Sequence, residues 1–118
     1  MTNYKKIGII GGMGPESTAL LYRQVVRSFQ DRFGAYKDQD FPEMLIHNLP
    51  IPDITVDKKH EEDVRKMLSR SVHFLEQSGS ELIAFPCNSF HLPCCTVQNS
   101  FQGSRGKSVK YWLYDFKV

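Results

Sequence analysis

The sequence predicts an α/β domain, a parallel sheet with flanking helices. Three observations carry that prediction. Short apolar runs alternate with longer segments of helical period, in the order β-α-β-α-β over the first 91 residues. Turn residues stand between them, at Gly11–Gly14, Gly34 and Ser78–Ser80. The chain has 118 residues, enough for one core and not for two.

Ile7-Gly8-Ile9-Ile10 is the first strand, and the loop Gly11-Gly12-Met13-Gly14-Pro15-Glu16 follows it. Pro15 suits the first turn of a helix, where its missing N–H costs nothing. Glu16 favours that end through the helix dipole. Tyr22, Val26, Phe29 and Phe33 then recur at helical spacing, with Leu21 and Val25 widening the stripe, and Gly34 closes the helix. Met44-Leu45-Ile46 is the second strand. Asn48-Leu49-Pro50-Ile51-Pro52-Asp53 cannot continue as a helix, because two prolines stand close together. Val64, Met67, Leu68, Val72 and Leu75 mark one face of a second helix. Glu61, Glu62 and Asp63 form its acidic first turn, with Arg65, Lys66 and Arg70 on its outer face. Leu82-Ile83-Ala84-Phe85 is the third strand. Strands joined by helices of this length pair in parallel through right-handed crossovers. The loops near Gly12, Asn48 and Cys87 therefore fall on one edge of the sheet. After His91 the chain is polar and without period, until an aromatic stretch from Val109 to Phe116 that reads as an edge strand.

Composition excludes several classes. A net charge of +2 gives no footprint for nucleic acid or a membrane surface. No apolar run approaches the roughly 18 residues of a transmembrane helix. Lys5 and Lys6 precede an apolar run that glycines break at once, too short for a signal-peptide core, which favours the cytoplasm. Three cysteines, Cys87, Cys94 and Cys95, make no disulfide framework and are expected as thiols. His47, His60, His73 and His91 lack metal-ligand spacing, so no metal site is expected.

The segment Phe85-Pro86-Cys87-Asn88-Ser89-Phe90-His91 presents a thiol at the carboxyl end of a strand, where open α/β sheets bind ligands. A thiol acts as base or nucleophile once ionised, which a helix N-terminus or a nearby cation promotes. The plainer alternative for Cys87 is a small buried hydrophobe. His91 is either a cation near that thiol or a surface histidine. The glycine loop is not a dinucleotide fingerprint, because position 17 is serine and position 13 methionine, and no Lys-Ser or Lys-Thr follows it. Loop amides at a helix start hold a carboxylate better than these residues hold a nucleotide. The plainer alternative is a tight turn that needs glycine for its backbone angles.

Three blocks together carry a resemblance: Ile7–Thr18, Asn48–Asp53 and Pro86–His91. In this order they resemble the N-terminal half of the aspartate/glutamate racemase family, over residues 5 to 91. The resemblance implies one lobe of a two-lobed, pseudo-symmetric fold. It implies racemisation without pyridoxal phosphate or metal, by two cysteines on opposite sides of the substrate α-carbon. Cys87 would be the first of these acid/base thiols. Asn88 and Ser89 would bind the carboxylate and amino group of a small amino acid, and Gly12 and Met13 would line the pocket. The implied partner is that substrate, with no nucleic acid and no membrane; a homodimer would supply a second Cys87 only if two sites faced each other. The chain also departs from the family. Its second cysteine motif is absent, Ile54 stands where many aspartate-type members have arginine, and residues 92–118 do not continue the resemblance. The expected division is a racemase-like lobe over 1–91 and a divergent tail over 92–118, the pattern of a frameshifted or truncated gene product. The competing expectation is a non-catalytic domain that binds a small carboxylate.

Overall fold

A computed structural model of the chain describes residues 3–52, 60–86 and 110–114, the last five and Pro86 by their backbone. The strands are β1 (Ile7–Gly11), β2 (Met44–Asn48), β3 (Leu82–Pro86) and β4 (Lys110–Tyr114), and the helices are α1 (Pro15–Phe33) and α2 (Glu61–Gln77). They form one sheet in the order β2-β1-β3-β4, with every pairing parallel. The aromatic stretch expected as an edge strand is β4, beside β3.

Alternation along the strands divides the core in two. Ile7 and Ile9 turn to one face and pack with Leu21, Val25 and Phe29 of α1. Ile10, Ile83 and Phe85 turn to the other and pack with Val64, Leu68, Val72 and Leu75 of α2. A strand covered on both faces reads as a continuous apolar run, which is the pattern of β1. Gly8 stands where β1 faces the start of β3: a Cβ there would come within 2.9 Å of Ser80 Oγ and 3.2 Å of Leu75.

Both helices begin and end as the sequence predicts. Pro15 opens α1 and Glu16 lies in its first turn. Gly34 closes it in the left-handed region at φ 65°, its N–H donating to the Gln30 carbonyl at 3.1 Å. Glu61, Glu62 and Asp63 occupy the first turn of α2, and Arg65 pairs with Glu61 and Glu62 on the helix surface. The buried face of α2 matches the predicted stripe, with Met67 at its margin and the hydroxyl of Ser71 inside it.

The buried stripe of α1 differs from expectation. Thr18 and Leu21 are buried, with Val25 and Phe29 packed behind them, whereas Tyr22 is 44% and Phe33 61% exposed. The physical reason is the edge position of β2. The flank of α1 carrying Tyr22 and Val26 overhangs Met44 and the Phe41-Pro42 turn, leaving an open cavity of about 380 Å³ that Asp38 also lines. Phe33 instead joins a surface aromatic cluster with Tyr4 and Phe29, at ring separations of 5.7 and 5.3 Å.

Two polar ties hold the elements in place. Asp40 ends a short 3₁₀ turn (Asp38–Asp40) and accepts the N–H groups of Tyr36 and Lys37 at 3.0 and 2.8 Å. The Lys37 and Tyr36 amides hold its carboxyl below the usual carboxylate range. On β2, His47 Nδ1 lies 2.6 Å from the buried Ser71 hydroxyl of α2. Among the described residues no helix is long and apolar enough to cross a membrane.

Candidate functional site

Parallel pairing puts the carboxyl ends of all four strands on one edge. Gly11 is in register with Asn48, and Ile9 with Ala84. The strand order reverses at β1. The chain leaves β1 through α1 to add β2 on one side, then passes α2 on the opposite face to add β3 on the other. Such a reversal opens a crevice outside the strand ends, between loops that depart to opposite faces. Here that crevice lies between the end of β1 and the end of β3.

The glycine loop forms one wall. Gly11 is the last residue of β1, and its carbonyl accepts the Leu49 N–H at 2.8 Å. The chain turns sharply at Gly12, which has φ 96°. A Cβ on Gly12 would fall 2.2 Å from the Leu49 carbonyl oxygen and 2.7 Å from its nitrogen. Only glycine fits this crossing of two backbones. Gly14, at φ 82°, then precedes α1 and offers no side-chain cap.

Thr18 closes the loop from the helix side. It is 6% exposed. Its Oγ1 accepts the Gly12 N–H at 3.2 Å and donates to the Gly14 carbonyl at 3.4 Å. Its own N–H donates to the same carbonyl at 3.3 Å. With Gly12 engaged, the N–H groups of Met13 and Gly14 have no partner among the described residues, and those at the start of α1 have no intrahelical one. The Met13 side chain is half-buried and rests on the α2-side core with Ile51. The second wall starts from Leu49, which is buried, and Ile51, whose N–H donates back to the Leu49 carbonyl at 2.9 Å across Pro50.

Of the residues the sequence singles out, Gly12 and Met13 stand at this edge. Cys87, Asn88 and Ser89 lie outside the described residues, as do His91, Cys94, Cys95 and Ile54; β3 runs through Pro86, the residue before Cys87. Thr18 carries no role in the sequence-based expectations beyond its place in the glycine block. The available signal was a small polar residue at the first buried position of the helix, four residues after Gly14. Among the described residues no three His, Cys, Asp or Glu side chains are grouped to hold a metal ion.

Comparison with known proteins places this edge in context. The model of the Asp/Glu/hydantoin racemase family matches residues 10–101. The broad specificity amino-acid racemase RacX of Bacillus subtilis (strain 168) is 35% identical over 86 residues, covering 73% of this chain and 38% of RacX. An aspartate racemase homologue from Pyrococcus horikoshii OT3 superposes with a TM-score of 0.74 at 30% identity, over 93% of this chain and 45% of the other. The aspartate racemase of Picrophilus torridus superposes with a TM-score of 0.56 at 31% identity, over 75% and 37% respectively. The chain thus spans less than half the length of each of these relatives.

Proposed function

Since the chain belongs to the Asp/Glu/hydantoin racemase family, we propose that its carboxyl edge binds a small amino acid and that Cys87 works on the α-carbon. The observation that carries this reading is the strand-order reversal at β1, which sets the glycine loop beside the strand that leads into Cys87. The N–H groups of Met13 and Gly14, without a partner among the described residues, and those opening α1 provide anion-binding donors at that edge. In this reading Asn88 and Ser89 hold the carboxylate and amino group, and Gly12 and Met13 line the pocket.

The chemistry follows from one thiol. The Cys87 thiolate takes the α-proton and leaves a carbanion; the resulting thiol returns a proton to the same face. In D2O this exchanges the α-proton with retention. Inversion needs a second acid on the opposite face. The family-level reading places that group on a second lobe or on a second copy of this chain. The reading needs neither pyridoxal phosphate nor metal, and the substrate is of the aspartate/glutamate type or a neutral amino acid.

A second reading rests on length. The chain spans 38% of RacX and 45% of the Pyrococcus homologue. A single lobe with its glycine loop intact binds a small carboxylate without turnover. In this reading residues 1–91 are the racemase-like lobe and 92–118 a divergent tail.

α-Proton exchange separates the two. L- and D-aspartate, glutamate and a panel of neutral amino acids are incubated with the protein in D2O and followed by NMR, beside Cys87→Ala. Exchange that disappears in Cys87→Ala supports the thiol base, and the enantiomer exchanged names the face. Binding without exchange supports the second reading. Exchange undiminished in Cys87→Ala would sink the assignment of Cys87.

A further inference from the structure

We propose that Thr18 is a positioning residue for the amino-acid site, its buried hydroxyl holding the Gly12–Gly14 loop in the shape that receives the ligand. The inference rests on the reading of the carboxyl edge as an amino-acid site.

The loop is anchored from two sides. On the sheet side, Gly11 is held by the Leu49 N–H. Beyond Gly11 the sheet contributes no further ladder bond, since β1 ends there. The next three residues include two glycines in the left-handed region, Gly12 and Gly14. Glycine has the widest conformational freedom of any residue, so such a loop keeps one shape only if something outside it fixes that shape. Thr18 is placed to do so, since one hydroxyl is bonded to both of those glycines, to the Gly12 N–H and to the Gly14 carbonyl. Its side chain also fills the space beside Gly11, where a Cβ would come within 2.4 Å of Thr18 Cγ2.

This arrangement reaches the ligand through the backbone. By taking the Gly12 N–H, Thr18 turns that amide inward and leaves those of Met13 and Gly14 as the loop donors without a partner among the described residues. Without the hydroxyl, the part-buried Gly12 donor loses this partner and rotates toward another, which moves its neighbours. The core does not depend on this hydroxyl, because Leu21, Val25 and Phe29 carry the packing of α1 on β1.

The test uses the full ¹⁵N-labelled chain with Thr18→Val, which keeps the volume and removes the hydroxyl, and Thr18→Ser, which keeps the hydroxyl. Two quantities are read: amide hydrogen exchange at Gly12, and the dissociation constants of L- and D-aspartate, glutamate and a neutral amino-acid panel from NMR shift changes. Thr18→Val is expected to fold, to lose Gly12 protection and to bind about tenfold more weakly, the equivalent of one hydrogen bond. Thr18→Ser is expected to restore both within about threefold. Unchanged Gly12 exchange in Thr18→Val overturns the proposal, and so does unchanged affinity once protection is lost. Equal impairment of the two variants overturns it as well, since the retained hydroxyl of Thr18→Ser then rescues nothing. A wild-type chain that binds no amino acid overturns the site itself; the Gly12 exchange contrast still tells that failure from a failure of the Thr18–Gly12 bond.

Discussion

Replacing Gly12 by alanine tests the backbone crossing of Gly12 and Leu49 at the carboxyl edge of the sheet. Two costs arise. The first is conformational: φ is 96°, and an L-residue on the left-handed side costs about 1–2 kcal/mol. The second is steric: the new Cβ would lie 2.2 Å from the Leu49 carbonyl oxygen, and backbone cannot yield as a side chain tip does. Forcing room for it is an overpacking cost of about 1–3 kcal/mol. Together the loss is about 2–5 kcal/mol, a large share of the roughly 5–15 kcal/mol that holds a domain together. Gly34 is the internal control. It too has positive φ, at 65°, but nothing lies within 4 Å of its Cβ position. Gly34→Ala should therefore cost only the conformational part, about 1–2 kcal/mol. Urea unfolding of both variants, with a slope of about 1–3 kcal/mol per molar, separates the two midpoints by roughly 1 M. Equal destabilisation of the two within about 0.5 kcal/mol would refute the crossing, because it would mean that Leu49 moves aside at no cost.

Other perturbations probe the rest of the molecule. Leu68→Ala, at a fully buried position of α2, should cost about 2–5 kcal/mol in the same urea titration, and a loss under 1 kcal/mol would contradict the α2 core. Ser71→Ala removes the partner of half-buried His47 Nδ1 and should cost about 1 kcal/mol, with no comparable loss for the exposed Arg70→Ala. Asp40 has a lowered folded pKa, so its contribution is present above the unfolded value and disappears as pH falls through the folded one. The stability gap between wild type and Asp40→Asn should therefore be constant near neutrality and close below about pH 4; a gap that widens in acid would reverse the sign. Cys87→Ala should leave the urea midpoint nearly unchanged, since so small a side chain contributes little by burial. Marked unfolding would instead make Cys87 a core residue.

The parts of the fold that were legible in the sequence are those that local pattern dictates. Ile7–Ile10 and Leu82–Phe85 are apolar runs of strand length, and the covered sheet explains why neither alternates. Pro15 and Gly34 punctuate α1 because one lacks an orphan N–H and the other donates to orphan carbonyls, and the acidic Glu61–Asp63 mark the start of α2 through the helix dipole. Less legible were features set by which element is a neighbour. The stripe of α1 is centred on Leu21 and Val25 because β2 is an edge strand, and periodicity contains no information about edges. The turn at Asp38–Asp40 depends on one carboxylate reaching back to two amides, a contact no period announces. At the carboxyl edge, the place of Gly12 and Met13 was legible because strands that alternate with helices put the loop after β1 there. The bond from Thr18 to Gly12 was not, because threonine at a helix start usually caps its own helix, and this one serves the preceding loop.

The position of β1 also governs how the chain assembles. β1 pairs with both β2 and β3, yet Ile7 must wait about 75 residues for its partner Leu82. At a synthesis rate of roughly 5–20 residues per second, one whole side of the most apolar strand stays without a neighbour for roughly 4–15 seconds on the ribosome. Once Asn48 completes β2, and until β3 is made, β1 and β2 are a two-stranded sheet with an open edge of Ile, Gly, Ile, Ile and Gly, the kind of edge that recruits strands from other chains. Aggregation during expression should consequently respond to translation speed across residues 49–81 more than to the final stability of the domain.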